Sequence, residues 1–363
     1  MDKYFIDFSK IMYHPDRLSQ WKNGLNNWEV AKRVYPIYVE VTTSGACNHR
    51  CKFCALDYLG YNTGMADTKN LKKAITDMAK GGVKSIQFGG EGEPFLHPKM
   101  GEIVQHTKAC GIDISFTTNG TLMRKDVLKT IIPLTTWIKV SIDAGTPETH
   151  MKIHRPKTQD FDNLIENLKD AVAIRRATKS SCALGAQLLL LPDNYHEALG
   201  LAKLVKDIGL DYLVIKPYSQ HQKSITKEYD NVDYKKYFYL ADKLEKLNSD
   251  NFKVIFRKQT MERLDNSERG YKVCHAVPFM WAYLMANGDI YTCSSFLGDK
   301  EFRLGNYNKD SFKNIWESDK RKKHWKFIRT KFDIKHCREN CRMDEVNRYL
   351  EKLSEPPEHV NFI

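Results

Sequence analysis

No apolar run in this 363-residue chain approaches the roughly 20 residues needed to cross a bilayer. The longest, Ala183 to Leu191, stops at Pro192 and reads as a buried strand. The N-terminus, Met1-Asp2-Lys3-Tyr4-Phe5, lacks a basic region followed by an apolar core and a small-residue cleavage site, so an unprocessed cytoplasmic protein is expected. Low-complexity tracts are absent, as are internal repeats beyond an alternation of strands and helices. An even cysteine count is missing too. Nine cysteines cannot all pair, and a reducing compartment keeps thiols free, so metal binding explains them better than disulfides. Acidic residues are the scarcer charge, 45 against 57 basic, leaving a net charge of +12 that favours acidic partners. A phosphorylated or nucleotide-linked substrate, nucleic acid and an acidic electron donor all fit, as does a lysine-rich solvated surface.

What is present is ordinary for a soluble protein, 42% apolar and 28% charged, and long enough for one large domain or two. Residues 1–36 carry no interpretable motif, with a helix expected near Pro15 to Lys32. From Ile37 the chain alternates. Strands are predicted near residues 37–41, 84–88, 113–117, 137–142, 183–191 and 212–216. Helices are predicted near Thr68 to Lys80, Pro98 to Ala109, Lys125 to Ile131, Asp160 to Thr178 and Tyr195 to Ile208. Gly81, Gly82, Gly111 and Gly209 stand where helices should stop. A helix near Asn231 to Leu247 and a strand near Lys253 to Phe256 close the region. Six strands joined through helices imply parallel pairing by right-handed crossovers, too few to close an eight-stranded barrel. The expected fold class is therefore α/β: a partial (β/α)6 barrel over 37–257, after an N-terminal extension of residues 1–36. A small α+β domain over 258–363 should follow, separated by a charged linker at 257–270.

Directly after the first strand comes Cys47-Asn48-His49-Arg50-Cys51-Lys52-Phe53-Cys54. Three thiolates so close can converge on one metal centre, and soft sulfur selects iron-sulfur clusters, zinc or copper(I). Three is one short of saturating a 4Fe-4S cluster, which leaves an iron open to a chelating ligand. A zinc knuckle or a disulfide framework is the bland reading of the same residues. After the second strand comes Gly89-Gly90-Glu91-Gly92-Glu93-Pro94, where glycines let backbone approach a ligand and a carboxylate can accept from an ammonium. A phosphate loop is disfavoured, because the stretch lacks Lys-Ser/Thr and carries carboxylates. The third strand ends in Thr117-Thr118-Asn119-Gly120 and the fourth in Ser141-Ile142-Asp143. Parallel α/β folds gather their chemistry at such strand ends.

The CxxxCxxC loop with Phe53 before its last cysteine, together with the Gly-Glu-Pro stretch, resembles the radical S-adenosylmethionine (radical SAM) superfamily. The resemblance implies a 4Fe-4S cluster on Cys47, Cys51 and Cys54 that binds S-adenosylmethionine and cleaves it reductively to methionine and a 5'-deoxyadenosyl radical. It also implies cofactor contacts from Phe53, Gly90, Gly92, Glu93, Pro94, Thr118, Asn119, Ser141, Asp143 and Arg155. Glu91 stands where the family pattern has a glycine. A flavodoxin or ferredoxin-type protein would deliver the electron.

Cys274, Cys293, Cys337 and Cys341 form a second group, with Gly288 to Cys293 reading as a hairpin. Spacing alone divides this group evenly between zinc and a second cluster. The stretch resembles the SPASM/twitch extension of the same superfamily, and four thiolates match the shorter twitch form with one auxiliary 4Fe-4S cluster. Cys110 and Cys182 have no such company and read as apolar core residues.

Hydrogen abstraction from a carbohydrate-like small molecule, a sugar, cyclitol or nucleotide-sugar, followed by dehydrogenation or epimerisation, is the expected reaction. Modification of a ribosomally made peptide is the alternative, and a zinc-stabilised RNA-binding module the more remote one, nucleic acid and membrane partners being disfavoured. Gln187, Lys216 and Tyr218 at the last strand ends, with His221 nearby, are the expected substrate-facing or catalytic residues.

Overall fold

The computed structural model describes residue 4 and residues 9–266, 269–356 and 358–362. Apolar residues at every second position build a ten-stranded sheet. Its strands are β1 (Tyr38–Val41), β2 (Ser85–Phe88), β3 (Asp113–Thr118), β4 (Trp137–Ser141), β5 (Ala183–Leu190), β6 (Tyr212–Pro217), β7 (Lys253–Phe256), β8 (Trp281–Leu284), β9 (Asp289–Tyr291) and β10 (Arg303–Asn306). The spatial order is β10-β9-β8-β1-β2-β3-β4-β5-β6-β7. Neighbours from β1 to β7 pair in parallel, and β8 adds in parallel to the free edge of β1 with Tyr38 opposite Trp281. The sheet remains open, its two edges being β7 and β10. The antiparallel strands β8 and β9 form the expected hairpin, with Gly288 at φ 95° in its turn, and β10 adds antiparallel to β9.

One face of this sheet is apolar. Val39, Val41, Ile86, Phe88, Ile114, Phe116, Ile138, Val140, Leu184, Ala186, Leu213 and Ile215 join one core with the covering helices. The helix Thr68–Lys80 shows why: Leu71, Ala74, Ile75 and Met78 recur at helical spacing and are buried, and the Asp67 side chain caps its first turn. Because side chains alternate across a strand, the other face of β1 to β6 presents Tyr38, Glu40, Gln87, Ser115, Thr117, Trp137, Lys139, Ser141, Gln187 and Lys216 to the inside of the partial barrel.

Several expectations are corrected. The helix near Pro15 to Lys32 is broken into Pro15–Gly24 and Trp28–Ala31, because the Asn27 side chain caps a new start by accepting from the Glu29 N–H. The segment Asn231 to Leu247 holds only the 3-10 turn Tyr234–Tyr237 and the short helix Leu240–Glu245. The expected linker at 257–270 contains the helix Lys258–Asp265, whose Met261 is fully buried in the main core; residues 267 and 268 lie outside the described residues. Its charges occupy the outer face of an amphipathic helix, and composition alone cannot tell such a face from a linker. The N-terminal segment packs into the fold. Ile11, Trp21, Trp28, Ala31 and Val34 share a second core with Ala276, Phe279, Trp281, Trp325 and Ile328.

Candidate active site

The cysteine loop leaves β1 and is held from three sides. The Arg50 and Lys52 N–H groups donate to the carbonyls of His154 and Ile153, at the end of the helix Pro147–His154. The Glu93 N–H donates to the Ala46 carbonyl at 2.9 Å, which staples the glycine-rich loop after β2 to the cysteine loop. The Asn119 side-chain amide donates to Asn48 Oδ1 at 2.8 Å, bringing in the end of β3. Gly90 and Gly92 are required by this crowding. Gly90 has φ 112°, and a Cβ there would lie 2.0 Å from Thr42 Oγ1; one on Gly92 would lie 2.1 Å from the Ser44 carbonyl oxygen.

Glu93 turns inward. Its carboxylate accepts from Thr118 Oγ1 at 2.7 Å, from the Asn119 N–H at 2.9 Å and from the Phe95 N–H at 3.1 Å. Burial pushes it up to about 7 in spite of these bonds. Thr118 and Glu93 are thus spent on each other, and they set the loop geometry instead of facing outward. Pro94 is buried, its carbonyl accepting from Thr43 Oγ1. Glu91, the departure from the family pattern, has a defined task. It accepts from Thr63 Oγ1 at 2.8 Å, from the Tyr283 hydroxyl at 2.9 Å and from the Ala286 N–H at 3.3 Å. A carboxylate in place of glycine therefore ties this loop to β8 and the turn after it.

Ser141 and Gln187 come together on the inner face, with the Gln187 amide donating to Ser141 Oγ at 3.3 Å. Asp143 does not join them. It is fully buried with φ 53°, accepts from the Leu189 N–H, and lies 3.7 Å from His154 Nε2. Tyr218 is also withdrawn, packed with Ile153, Leu189, Leu191 and Tyr229 and flanked by half-buried Phe53. Tyr218 thus sits in an apolar cluster at the end of β6, and Asp143 among polar groups at the end of β4. His221 is buried and stacks on Tyr58 at 5.3 Å, and burial followed by Arg338 and Lys223 pushes it down to about 4. Lys216 points into the barrel. Arg155 is exposed at a left-handed turn directly after His154.

Sequence reasoning missed a buttress behind the loop. His49 bonds one oxygen of Asp160 at 2.8 Å and His150 the other at 3.0 Å, and against the opposing effect of burial they hold that carboxyl well below its usual range. His154 Nδ1 lies 3.2 Å from Cys51 Sγ. The available signal was the i, i+4 spacing of His150 and His154 on one helix.

The thiols suit a multinuclear cluster. Burial first, then neighbouring charges, raises Cys47 to about 12 and Cys51 well above its ordinary value, so an unliganded loop would be neutral thiols and a cationic centre is needed to draw out thiolates. In the second group burial and the other thiols raise Cys274 to about 11 and Cys337 and Cys341 to about 12, and Cys293 well above its ordinary value. Tetrahedral zinc with bonds of about 2.3 Å would hold its sulfurs about 3.8 Å apart. Among the described residues no three cysteine sulfurs lie within 4.8 Å of one another, so neither group is drawn together as tetrahedral zinc would hold it.

Residues 41–205 match the family model of the radical SAM superfamily, and residues 274–342 match that of the SPASM iron-sulfur cluster-binding domain. The chain belongs to the radical SAM superfamily. It is an enzyme whose radical SAM domain binds S-adenosylmethionine and a 4Fe-4S cluster and whose SPASM domain binds auxiliary iron-sulfur. Among curated relatives, the GTP 3',8-cyclase of Chlorobaculum tepidum is 29% identical over 51% of this chain and 55% of its own length. The antilisterial bacteriocin subtilosin biosynthesis protein AlbA of Bacillus subtilis is 24% identical over 83% of this chain and 64% of its own. The mycofactocin maturase MftC of Mycobacterium tuberculosis is 24% identical over 84% and 74%. The chain thus spans about half to two thirds of the length of the first curated relatives it matches. Streptococcus suis SuiB, solved with its precursor peptide SuiA, shares the fold with a TM-score of 0.62 at 17% identity, covering 85% of this chain and 69% of that one. In this radical SAM chain no helix among the described residues is long and apolar enough to cross a membrane.

Proposed function

We propose that this radical SAM enzyme modifies a ribosomally made peptide or protein by hydrogen abstraction. The observation that carries the reading is the alignment of more than four fifths of the chain with AlbA and MftC, relatives named for bacteriocin biosynthesis and mycofactocin maturation. It displaces the carbohydrate-like substrate expected from charge and cysteine count alone, since a basic balance does not distinguish an acidic peptide from a phosphorylated sugar.

In this reading Cys47, Cys51 and Cys54 hold the first cluster, and Cys274, Cys293, Cys337 and Cys341 the auxiliary one. When bound, the first cluster and S-adenosylmethionine supply the 5'-deoxyadenosyl radical. The protein's own part is positional. Gly90 and Gly92 let the loop backbone close over the cysteine loop, Glu93 fixes Thr118 and Asn119, and Glu91 locks the arrangement to β8. Gln187 and Ser141 offer polar contacts on the inner face, and exposed Arg155 stands beside the cysteine loop as a partner for a carboxylate. The experiment is anaerobic incubation of the reconstituted enzyme with dithionite, S-adenosylmethionine and short peptides encoded beside its gene. The expected result is 5'-deoxyadenosine together with a changed peptide mass, a loss of two hydrogens for oxidative crosslinking or dehydrogenation. Substrate-dependent 5'-deoxyadenosine formation with sugar phosphates or nucleotide-sugars, and none with peptides, would overturn it.

A further inference from the structure

The inside of the barrel holds two lysine ammoniums that have no ionic partner among the described residues. Lys139 on β4 and Lys216 on β6 occupy inward register positions, since Ile138 and Val140, which flank Lys139, and Leu213 and Ile215, the alternate residues before Lys216, are in the outer core. Arg257 extends β7, its N–H donating to the Ile215 carbonyl, and its side chain is close enough to act on both lysines. Arg342 enters from the SPASM domain, one residue after Cys341, and bonds Glu40 at 2.8 Å and Gln87 Oε1 at 3.1 Å. Glu40 is thereby committed to Arg342, and Asp143, a second carboxyl that acts on both lysines, is fully buried behind the strand end. Neither the Lys139 nor the Lys216 ammonium makes a hydrogen bond or ion pair among the described residues. Both stay partly accessible in the lumen although the protein surrounds them. Burial, then Arg342 and Arg257, pushes Lys139 down to about 8; burial, then Lys139, Arg342 and Arg257, holds Lys216 well below the ordinary lysine range. Two such ammoniums in one enclosed space, with two guanidiniums beside them, repel each other unless an anion arrives.

We propose that Lys139 and Lys216, with Arg257 and Arg342 beside them, form an anion subsite in the barrel lumen that takes a carboxylate of the substrate, an acidic side chain or the C-terminus of the peptide. The proposal rests on the reading that substrate enters this lumen, and it makes Lys216 a binding cation and not a base. Trp137 on the same strand, with Lys139 Nζ 5.8 Å from its ring centre, supplies an apolar wall beside the charges. Arg342 also couples the subsite to the SPASM domain, because the segment that bears Cys341 sets where its guanidinium lies.

The test is calorimetric titration of glutarate and of inorganic pyrophosphate into the cluster-loaded enzyme saturated with S-adenosylmethionine, compared with K139M, K216M and the double variant. Binding to wild type, at least tenfold weaker in each single variant and lost in the double one, is expected. Tighter glutarate binding assigns the subsite to a carboxylate; tighter pyrophosphate keeps the anion subsite but transfers it to a phosphorylated group, and so overturns the carboxylate assignment. Equal affinity in the double variant, or binding that S-adenosylmethionine abolishes, would overturn the subsite itself, the second because the cations would then serve that cofactor's own carboxylate. Should the variants fail to fold, the wild type still decides: either anion must raise its melting temperature above sodium chloride at equal ionic strength, and no rise refutes the site. These measurements use no peptide and no turnover, so their failure leaves the peptide reading standing, and a failed peptide assay leaves them unaffected.

Discussion

Replacing Arg321 with methionine should cost this protein more stability than any surface change, and the structure shows why. The guanidinium is fully buried and has no carboxylate partner among its hydrogen bonds. It donates to the carbonyls of Pro278 (Nε at 3.2 Å and a terminal nitrogen at 3.0 Å), Trp316 (2.9 Å), Val34 (3.1 Å), Ala31 (3.3 Å) and Lys32 (3.3 Å). It also stacks 4.0 Å from the Trp316 ring centre. Burial pushes it down to about 9, so it remains charged at neutral pH. Methionine fills much of the volume but donates nothing. Val34 keeps the Trp316 indole N–H at 2.9 Å and Ala31 keeps the Val34 amide, whereas the Pro278 carbonyl loses both of its donors. Orphaned buried acceptors cost about 1–3 kcal/mol each, and removing one side of a buried charged network about 3–5 kcal/mol. A loss of about 3–5 kcal/mol at roughly 2 °C per kcal/mol predicts a melting temperature about 6–10 °C lower. R321K, with three donors and no planar fork, should fall in between. Thermal melts of the cluster-loaded protein provide the assay, with trypsin cleavage near Arg33 as a local readout, because the N-terminal segment loses its clamp. A methionine variant melting within 2 °C of wild type, with Arg33 still protected, would refute the reasoning.

Gly90→Ala forces a Cβ to 2.0 Å from Thr42 Oγ1 and 2.3 Å from the Tyr283 hydroxyl at φ 112°, so equilibrium dialysis should show S-adenosylmethionine affinity reduced at least tenfold. Alanine at Cys47, Cys51 and Cys54 together should remove about four of about eight irons per chain, and alanine at Cys293 and Cys337 the other four, by iron and sulfide analysis. Asp143, raised to about 7 by burial against the pull of the Leu189 N–H, Lys216 and Lys139, holds a proton in the native state that the unfolded chain has already lost above pH 3.8. Stability should therefore fall as pH rises toward 7, by up to about 1.4 kcal/mol per pH unit from this group, and level off above. Urea midpoints from pH 5 to 8 should lose that slope in D143N.

Much of the architecture was written locally. The alternation in β1 to β6 and the helical spacing of Leu71, Ala74, Ile75 and Met78 follow from side-chain periodicity, so their positions were legible to within a residue or two. The cysteine loop was legible because its donors lie within eight residues. The strand-end residues were less so. Thr118, Asp143 and Tyr218 have the right residue types at the right places, yet each is spent on structural partners, and a sequence does not show which face of a strand end is already filled.

The amino-acid sequence by itself determined the parallel strand-helix order, the two cysteine groups and the glycine-rich loop, because each is set by contacts among residues close along the chain. Only the tertiary structure decided that β8 pairs with β1, that Glu91 reaches Tyr283, that Arg321 clamps the N-terminal segment, and that Arg342 enters the lumen opposite Lys139 and Lys216. Those partners lie about 125–290 residues apart, and their meeting depends on which free sheet edge and which unburied surface the folded chain leaves to be covered.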